Sequence, residues 1–249
     1  MLQVLNRSTE PKRILIVLHQ EHSTPGRVGS YLQRMGYELD MRRPRFGDPL
    51  PDTMRDHAGA IIFGGPMSAN DADDYIKREI DWINVPLAED KPFLGICLGA
   101  QMMARCLGNK VSRHPEGQVE IGYYKIDPTE HGHNVCASQF PDHVYHWHNE
   151  GFECPRDALL LAQGNAFETQ AVKVGTRAYG LQFHPEVTYA MMCRWTCKAA
   201  DRMKAPGARE ARDHLDGWYL HDHKVARWTQ DFLTCWLAKD APDSGPCGC

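Results

Sequence analysis

The chain has 249 residues, enough to bury a full core within one domain, and no apolar stretch in it nears the roughly 20 residues that cross a bilayer. Hydrophobic content of 42% and charged content of 24% are those of an ordinary soluble globular protein, which excludes a disordered or fibrous chain. A formal charge of -4 supplies no basic excess to attract a phosphate backbone, so neither nucleic acid nor membrane is an expected partner.

The opening MLQVLNRSTEPKR lacks the apolar core of a signal peptide, so a cytoplasmic location is expected. RILIVLH (13–19) is a continuous apolar run, as in a strand buried on both faces. The turn-rich QEHSTPG leads into a helical pattern, RVGSYLQRMG, closed by Gly36. A short strand, YELDMRR, a proline-rich loop and a second buried strand, AGAIIF (58–63), follow, and the last runs straight into GGP. DDYIKREIDWINVPLAED reads as one helix with Ile76, Ile80 and Ile83 on its apolar face. Strand PFLGI (92–96) precedes the helix LGAQMMARCLG, ended by Gly108. This alternation predicts an α/β fold with a mostly parallel central sheet and helices on both faces.

The middle of the chain changes character. VEIGYYKI, HVYHWHN, ALLLAQ, TQAVKVG and RAYGLQFH are short runs with little helix between them, so some antiparallel strands are expected. Beyond Thr188 the pattern is helical again, RWTQDFLTCWLA being the closing helix. The domain is expected to span 1–240, with a helical extension over about 198–240 and a loose tail at 241–249. Nine cysteines, an odd number, read as reduced thiols, and neither Cys193 with Cys197 nor Cys247 with Cys249 matches a zinc pattern. Met67, Met102, Met103, Met191 and Met192 read as core filler.

GICLG (95–99) places Cys97 between glycines at a strand-to-helix turn, where α/β-hydrolases carry their nucleophile. Such a turn lifts a thiol above the strand ends and aims a helix N-terminus at it. The motif alone suits a buried small residue equally well. His184 and Glu186, two apart at the end of RAYGLQFHPE, point to one side of an extended backbone, with Pro185 stiffening the link. A carboxylate there can fix the imidazole tautomer and leave the other nitrogen for a thiol. Taken alone, a strand-end histidine beside a solvated glutamate is the commoner case.

GGP (64–66), GICLGAQ (95–101) and QFHPE (182–186), in that order, resemble the three signatures of class I glutamine amidotransferase domains. The likeness runs from the first strand to about Thr188 and is greatest to stand-alone relatives of the GMP synthase amidotransferase domain, through GGPMSAND (64–71), VEIGYY (119–124) and WHNEGF (147–152). The resemblance implies the flavodoxin-like fold of that family and a triad of Cys97, His184 and Glu186. It implies an oxyanion hole from the Leu98 and Gly65 N–H groups, with Gly64, Gln101, Asn149, Glu150, Gly151 and Phe152 about the substrate. Asn149 and Glu150 stand where the family commonly has Gly and Asp, so the carboxylate is kept and lengthened. Glutaminase chemistry needs no cofactor or metal. His146 and His148 alternate on one strand face and could hold an ion, but no third ligand is evident.

The implied substrate is glutamine or another γ-glutamyl compound. Without an ATP-binding G-x-x-x-x-G-K-[ST] loop, acceptor chemistry would need a separate synthetase chain that takes up the ammonia. The same triad would serve a stand-alone γ-glutamyl peptide hydrolase or transferase. A redox-sensing relative that keeps only the elbow cysteine has no use for His184 and Glu186. The sequence does not choose an oligomeric state.

Overall fold

Every residue of RILIV after Arg13 is buried, and the run forms β1 (Arg13–Val17) of an eight-stranded sheet in the computed structural model, which describes residues 12–238. The chain continues through α1 (Gly26–Arg34), β2 (Glu38–Arg42), β3 (Gly59–Ile62), α2 (Asp74–Trp82), α3 (Asn84–Ala88), β4 (Phe93–Ile96) and α4 (Leu98–Cys106). Next come β5 (Val111–Arg113), β6 (Glu120–Lys125), β7 (Asp127–Pro128), α5 (Glu130–His133), β8 (His143–His148) and β9 (Glu150–Phe152). β10 (Ala158–Gln163), β11 (Thr169–Val174), β12 (Ala178–Leu181), α6 (Tyr189–Lys198) and α7 (Ala211–Leu237) complete it. The tail at 241–249 lies outside the described residues.

The sheet order is β2-β1-β3-β4-β12-β11-β10-β7. Pairings from β2 to β12 are parallel, and those from β12 to β7 are antiparallel. The mostly parallel sheet and the antiparallel strands late in the chain are thus as the sequence patterns anticipate. Two antiparallel pairs, β5 with β9 and β6 with β8, stand apart from the main sheet. Strand order reverses about β1, and ligands of open α/β sheets bind beyond the carboxyl ends of strands at such a switch.

Alternate residues of β1 enter opposite cores. Ile14 and Ile16 pack with Val28 and Leu32 of α1 and with Trp228 and Phe232 of α7, whereas Leu15 and Val17 pack with Ile76 of α2 and Met102 of α4. Two expectations need correction. The long helix over DDYIKREIDWINVPLAED is two, α2 and α3, meeting at Ile83. Pro86 has no N–H for the Trp82 carbonyl, so the helical ladder cannot pass that point. The closing helix is far longer than RWTQDFLTCWLA: α7 has 27 residues and begins at a Glu210–Asp213 capping box. Its early turns are largely polar, and only Val225, Trp228, Thr229, Phe232, Leu233 and Trp236 make a continuous buried stripe. Among the described residues, no helix is long and apolar enough to cross a membrane.

The junction of β4 and α4 depends on close approach. A Cβ on Gly99 would lie 2.1 Å from the Ile62 carbonyl oxygen of β3, and one on Gly95 would lie 2.5 Å from the Gly99 carbonyl carbon. Gly99→Ala is therefore expected to cost about 2–3 kcal/mol, lowering Tm by about 4–12 °C in thermal unfolding. An unchanged Tm would show that α4 has room to move off β3.

Candidate active site

Cys97 sits at φ 51° and ψ -103°, directly before the first residue of α4. Non-glycine residues rarely hold such a conformation, which costs on the order of 1–3 kcal/mol and persists only where its surroundings enforce it. Here the enforcement is the tight β4–α4 packing, together with a hydrogen bond donated by the Cys97 N–H to the Leu181 carbonyl of β12 (2.7 Å). The thiol residue is buried, 6% exposed. The chain beyond β12 then carries Gln182, Phe183 and His184 alongside it, and the His184 N–H donates to the Tyr145 carbonyl of β8 (2.8 Å).

His184 Nδ1 lies 2.8 Å from Glu186 Oε1, both side chains buried. His184 Nε2 is buried and has no hydrogen-bond partner among the described residues. The thiol and the imidazole converge on Gly64, where a Cβ would be 2.8 Å from His184 Cε1 and 3.5 Å from Cys97 Cβ. Burial pushes the imidazole toward neutrality, but Glu186 and Cys97 outweigh it and raise His184 to about 10. Trp195 of α6 sets its ring edge-on to His184, 5.1 Å between centroids. Burial raises three other thiols: Cys136 is pushed up to about 12, and Cys106 and Cys154 are also raised. The seven described cysteines are free thiols.

The backbone of the HPEV turn is pinned from α1 and α7. The Arg27 N–H donates to the Glu186 carbonyl (2.9 Å), and Arg27 Nη2 donates to the Val187 carbonyl (2.5 Å) and to Asp222 Oδ1 of α7 (2.6 Å). Trp218 of α7 lies under the guanidinium, 5.2 Å from its centre.

The other expected residues divide by what they touch. Leu98 buries its side chain in the α4-side core, and its N–H, first in the helix, has no intrahelical partner. Gly64 and Gly65 follow β3 and are half-buried. Gln101 is buried one turn past the elbow and donates from Nε2 to the Glu150 carbonyl (2.8 Å) and to Gln182 Oε1 (3.2 Å). Gln101 therefore ties β9 to α4. Asn149 and Glu150 are half-buried, whereas Gly151 lies against the Phe167 ring and Phe152 packs in the core with Leu98 and Met102.

A third ligand for His146 and His148 does exist, contrary to the sequence reading: it is Glu120 of β6, paired in register with His148. The pairing of β6 with β8 was not visible in the sequence, although VEIGYY contains this glutamate. Their ligand atoms lie within 4.8 Å of one another and could hold an ion. Hydrogen bonds also knit the group together: His148 Nε2 lies 3.0 Å from Glu120 Oε2 and 3.1 Å from His146 Nδ1, and its Nδ1 lies 2.9 Å from the Glu150 carbonyl oxygen. Gln170 Nε2 also donates to Glu120 (2.9 Å). Burial pushes Glu120 up, yet the two histidines and Gln170 prevail and hold it at about 2, while burial drives His146 down to about 3. Sequence reasoning also passed over His19, Glu79, Trp195 and Arg202. Arg202, half-buried in the turn after α6, forms no ion pair among the described residues, and burial lowers its pKa against the opposing pull of Cys97.

Residues 23–192 match the family model for glutamine amidotransferase class-I. The chain is 31% identical over 184 residues to the glutamine amidotransferase-like protein YfeJ of Salmonella typhimurium, covering 71% of this chain and 76% of that one. It is 31% identical over 149 residues to a glutamine-hydrolyzing GMP synthase subunit of Methanoregula boonei, covering 57% and 73%. A glutamine amidotransferase crystal structure from Thermotoga maritima superposes with a TM-score of 0.81 at 28% identity, over 91% of this chain and 98% of that one. The chain belongs to the class I glutamine amidotransferase family.

Removing a buried carboxylate strands the donors that face it, here Gln170 and His148. Glu120→Ala should cost about 3–5 kcal/mol at pH 7, read as a fall in the urea midpoint. In the wild type, the Glu120 contribution is present above its unfolded value of 4.5 and is lost as pH falls toward about 2. An unchanged midpoint would show that the Glu120 carboxylate adds nothing to stability.

Proposed function

We propose that the chain hydrolyses the side-chain amide of glutamine, with Cys97 as nucleophile, His184 as acid and base, and Glu186 as its orienting partner. The observation that carries this reading is the strained Cys97 turn facing an imidazole whose far nitrogen is held by a buried carboxylate. The Cys97 thiolate adds to the amide carbon, and the oxyanion receives the N–H groups of Leu98 and Gly65. His184 gives its Nε2 proton to the departing ammonia as the C–N bond breaks, leaving a thioester. It then takes a proton from water, which cleaves the thioester to glutamate and restores the thiolate.

Arg202 supports recognition of a carboxylate on the substrate, since it is a cation within electrostatic reach of Cys97 that forms no ion pair among the described residues. That suits the α-carboxylate of glutamine. It also favours a second reading, in which the chain acts alone on γ-glutamyl peptides whose leaving group bears a further carboxylate. The relative named as part of a GMP synthase supports the alternative that ammonia passes to a separate synthetase. Purified chain tested on glutamine and γ-glutamyl dipeptides separates them: fast peptide turnover by the chain alone marks the hydrolase, and slow glutamine turnover marks a glutaminase that waits for its synthetase.

Cys97→Ser should abolish glutamine hydrolysis while Tm and circular dichroism stay those of the wild type; undiminished hydrolysis would sink the assignment. Arg202→Met should raise KM about tenfold or more while Tm stays that of the wild type; an unchanged KM would remove Arg202 from substrate recognition. His184 is raised above 6.5, so its proton is lost only as pH rises through about 10. The kcat/KM profile should accordingly hold its plateau through about pH 9, whereas a fall centred near 6.5 would mean that Glu186 does not support the ring.

A further inference from the structure

Behind the GGP turn lies a buried pair that the mechanism above does not use. His19, just past β1, and Glu79 of α2 both have side chains at 0% exposure, with Nε2 and Oε2 2.7 Å apart. His19 Nδ1 lies 3.2 Å from the Gly64 carbonyl oxygen. Gly65 rests on the same ring, for a Cβ there would be 3.0 Å from His19 Cβ and 3.1 Å from Cγ. The second oxygen of Glu79, Oε1, is buried with no partner among the described residues. Such a pair is a costly way to fill a core that Leu or Met would fill well.

The protons can be assigned from the acceptors. The Gly64 carbonyl can only accept, so Nδ1 must carry a hydrogen. Between Nε2 and Glu79 there is then one further proton, whichever of the two holds it. Glu79 thereby keeps His19 in the state that donates from Nδ1, and holds the ring in place.

What this donation orients follows from the peptide bond. In a trans peptide the carbonyl of residue 64 and the N–H of residue 65 point in opposite directions. Sheet order puts β1 on one side of β3 and β4 on the other. His19 leaves the end of β1, the 64–65 peptide leaves the end of β3, and Cys97 leaves the end of β4. A carbonyl drawn toward His19 therefore turns the Gly65 N–H toward Cys97. With Gly65 lacking a side chain, little else would resist a flip of this peptide, and flipping would present the oxyanion with a carbonyl oxygen.

We propose that His19 and Glu79 are positioning residues that lock the Gly64–Gly65 peptide with its N–H in the oxyanion hole. This rests on the functional reading above, in which Gly65 is one of the two oxyanion donors.

The test compares two polar replacements of similar size in the full-length chain. Asn in His19→Asn places its amide near the Nδ1 position and can still donate to Gly64. Gln in His19→Gln reaches toward Glu79 and leaves the Gly64 carbonyl unpaired. His19→Gln should lower kcat on glutamine about 10–100-fold with KM within about threefold, whereas His19→Asn stays within about threefold in both. Alkylation of Cys97 by iodoacetamide forms no tetrahedral oxyanion and should be unchanged in both. Equal kcat in the two variants, a greater loss in Asn than in Gln, or a parallel fall in alkylation overturns the proposal. Failure of both variants to fold also overturns it, assigning the pair to stability. A wild-type chain that is alkylated at Cys97 yet inert on glutamine and γ-glutamyl peptides removes the functional reading itself, and the positioning role with it.

Discussion

Helix α4 lies so close to β3 and β4 that no side chain fits between them at Gly95 or Gly99. With the helix that near, the chain has a single residue in which to turn from strand to helix, and this residue is Cys97. Its positive φ is the geometric residue of that turn, held by core packing on both sides. From it follow the height of the thiol above the strand ends, the aim of the α4 N-terminus and the open N–H of Leu98. The hydrogen bond from Cys97 to Leu181 then couples this turn to the strand that leads to His184.

Three buried histidine–carboxylate pairs surround these strand ends, and each holds a different object. Glu186 holds the ring of His184, Glu79 holds the ring behind the 64–65 peptide, and Glu120 with His148 grips the carbonyl of residue 150. Gln101 donates to that same carbonyl from α4, so the β9 backbone is fixed from two directions. The polar groups in this core thus act mainly on backbone and ring orientation. Apolar packing alone specifies orientation weakly, because it has no direction, whereas a hydrogen bond does.

The parts of this arrangement that could be read in the sequence are those carried by neighbouring residues. GICLG signals its turn within five positions, and His184 and Glu186 meet because a strand places alternate side chains on one side. The buried strands announced themselves by continuous apolar runs. Glu79 and His19 are 60 positions apart, and nothing local links a glutamate inside a polar-looking helix to a histidine after a strand. Glu120 was hidden for the same reason, since its meeting with His148 depends on the register of β6 on β8. The break at Ile83 was a misreading of a legible signal, because Pro86 stands in plain view. The length of α7 was not legible, as its apolar stripe becomes regular only from Val225 onward.

The clamp of Arg27 on both the HPEV backbone and Asp222 has a bearing on how the protein is made. A ribosome delivers the elbow cysteine well before the histidine, and the histidine well before the α7 residue that anchors its turn. Until α7 emerges and docks, Arg27 has no carboxylate to hold it, and the turn bearing the imidazole lacks its far support. The nascent chain therefore carries Cys97 and His184 before the support of the second is complete. Docking of α7 is thus the last event that fixes how the turn bearing His184 faces the elbow cysteine.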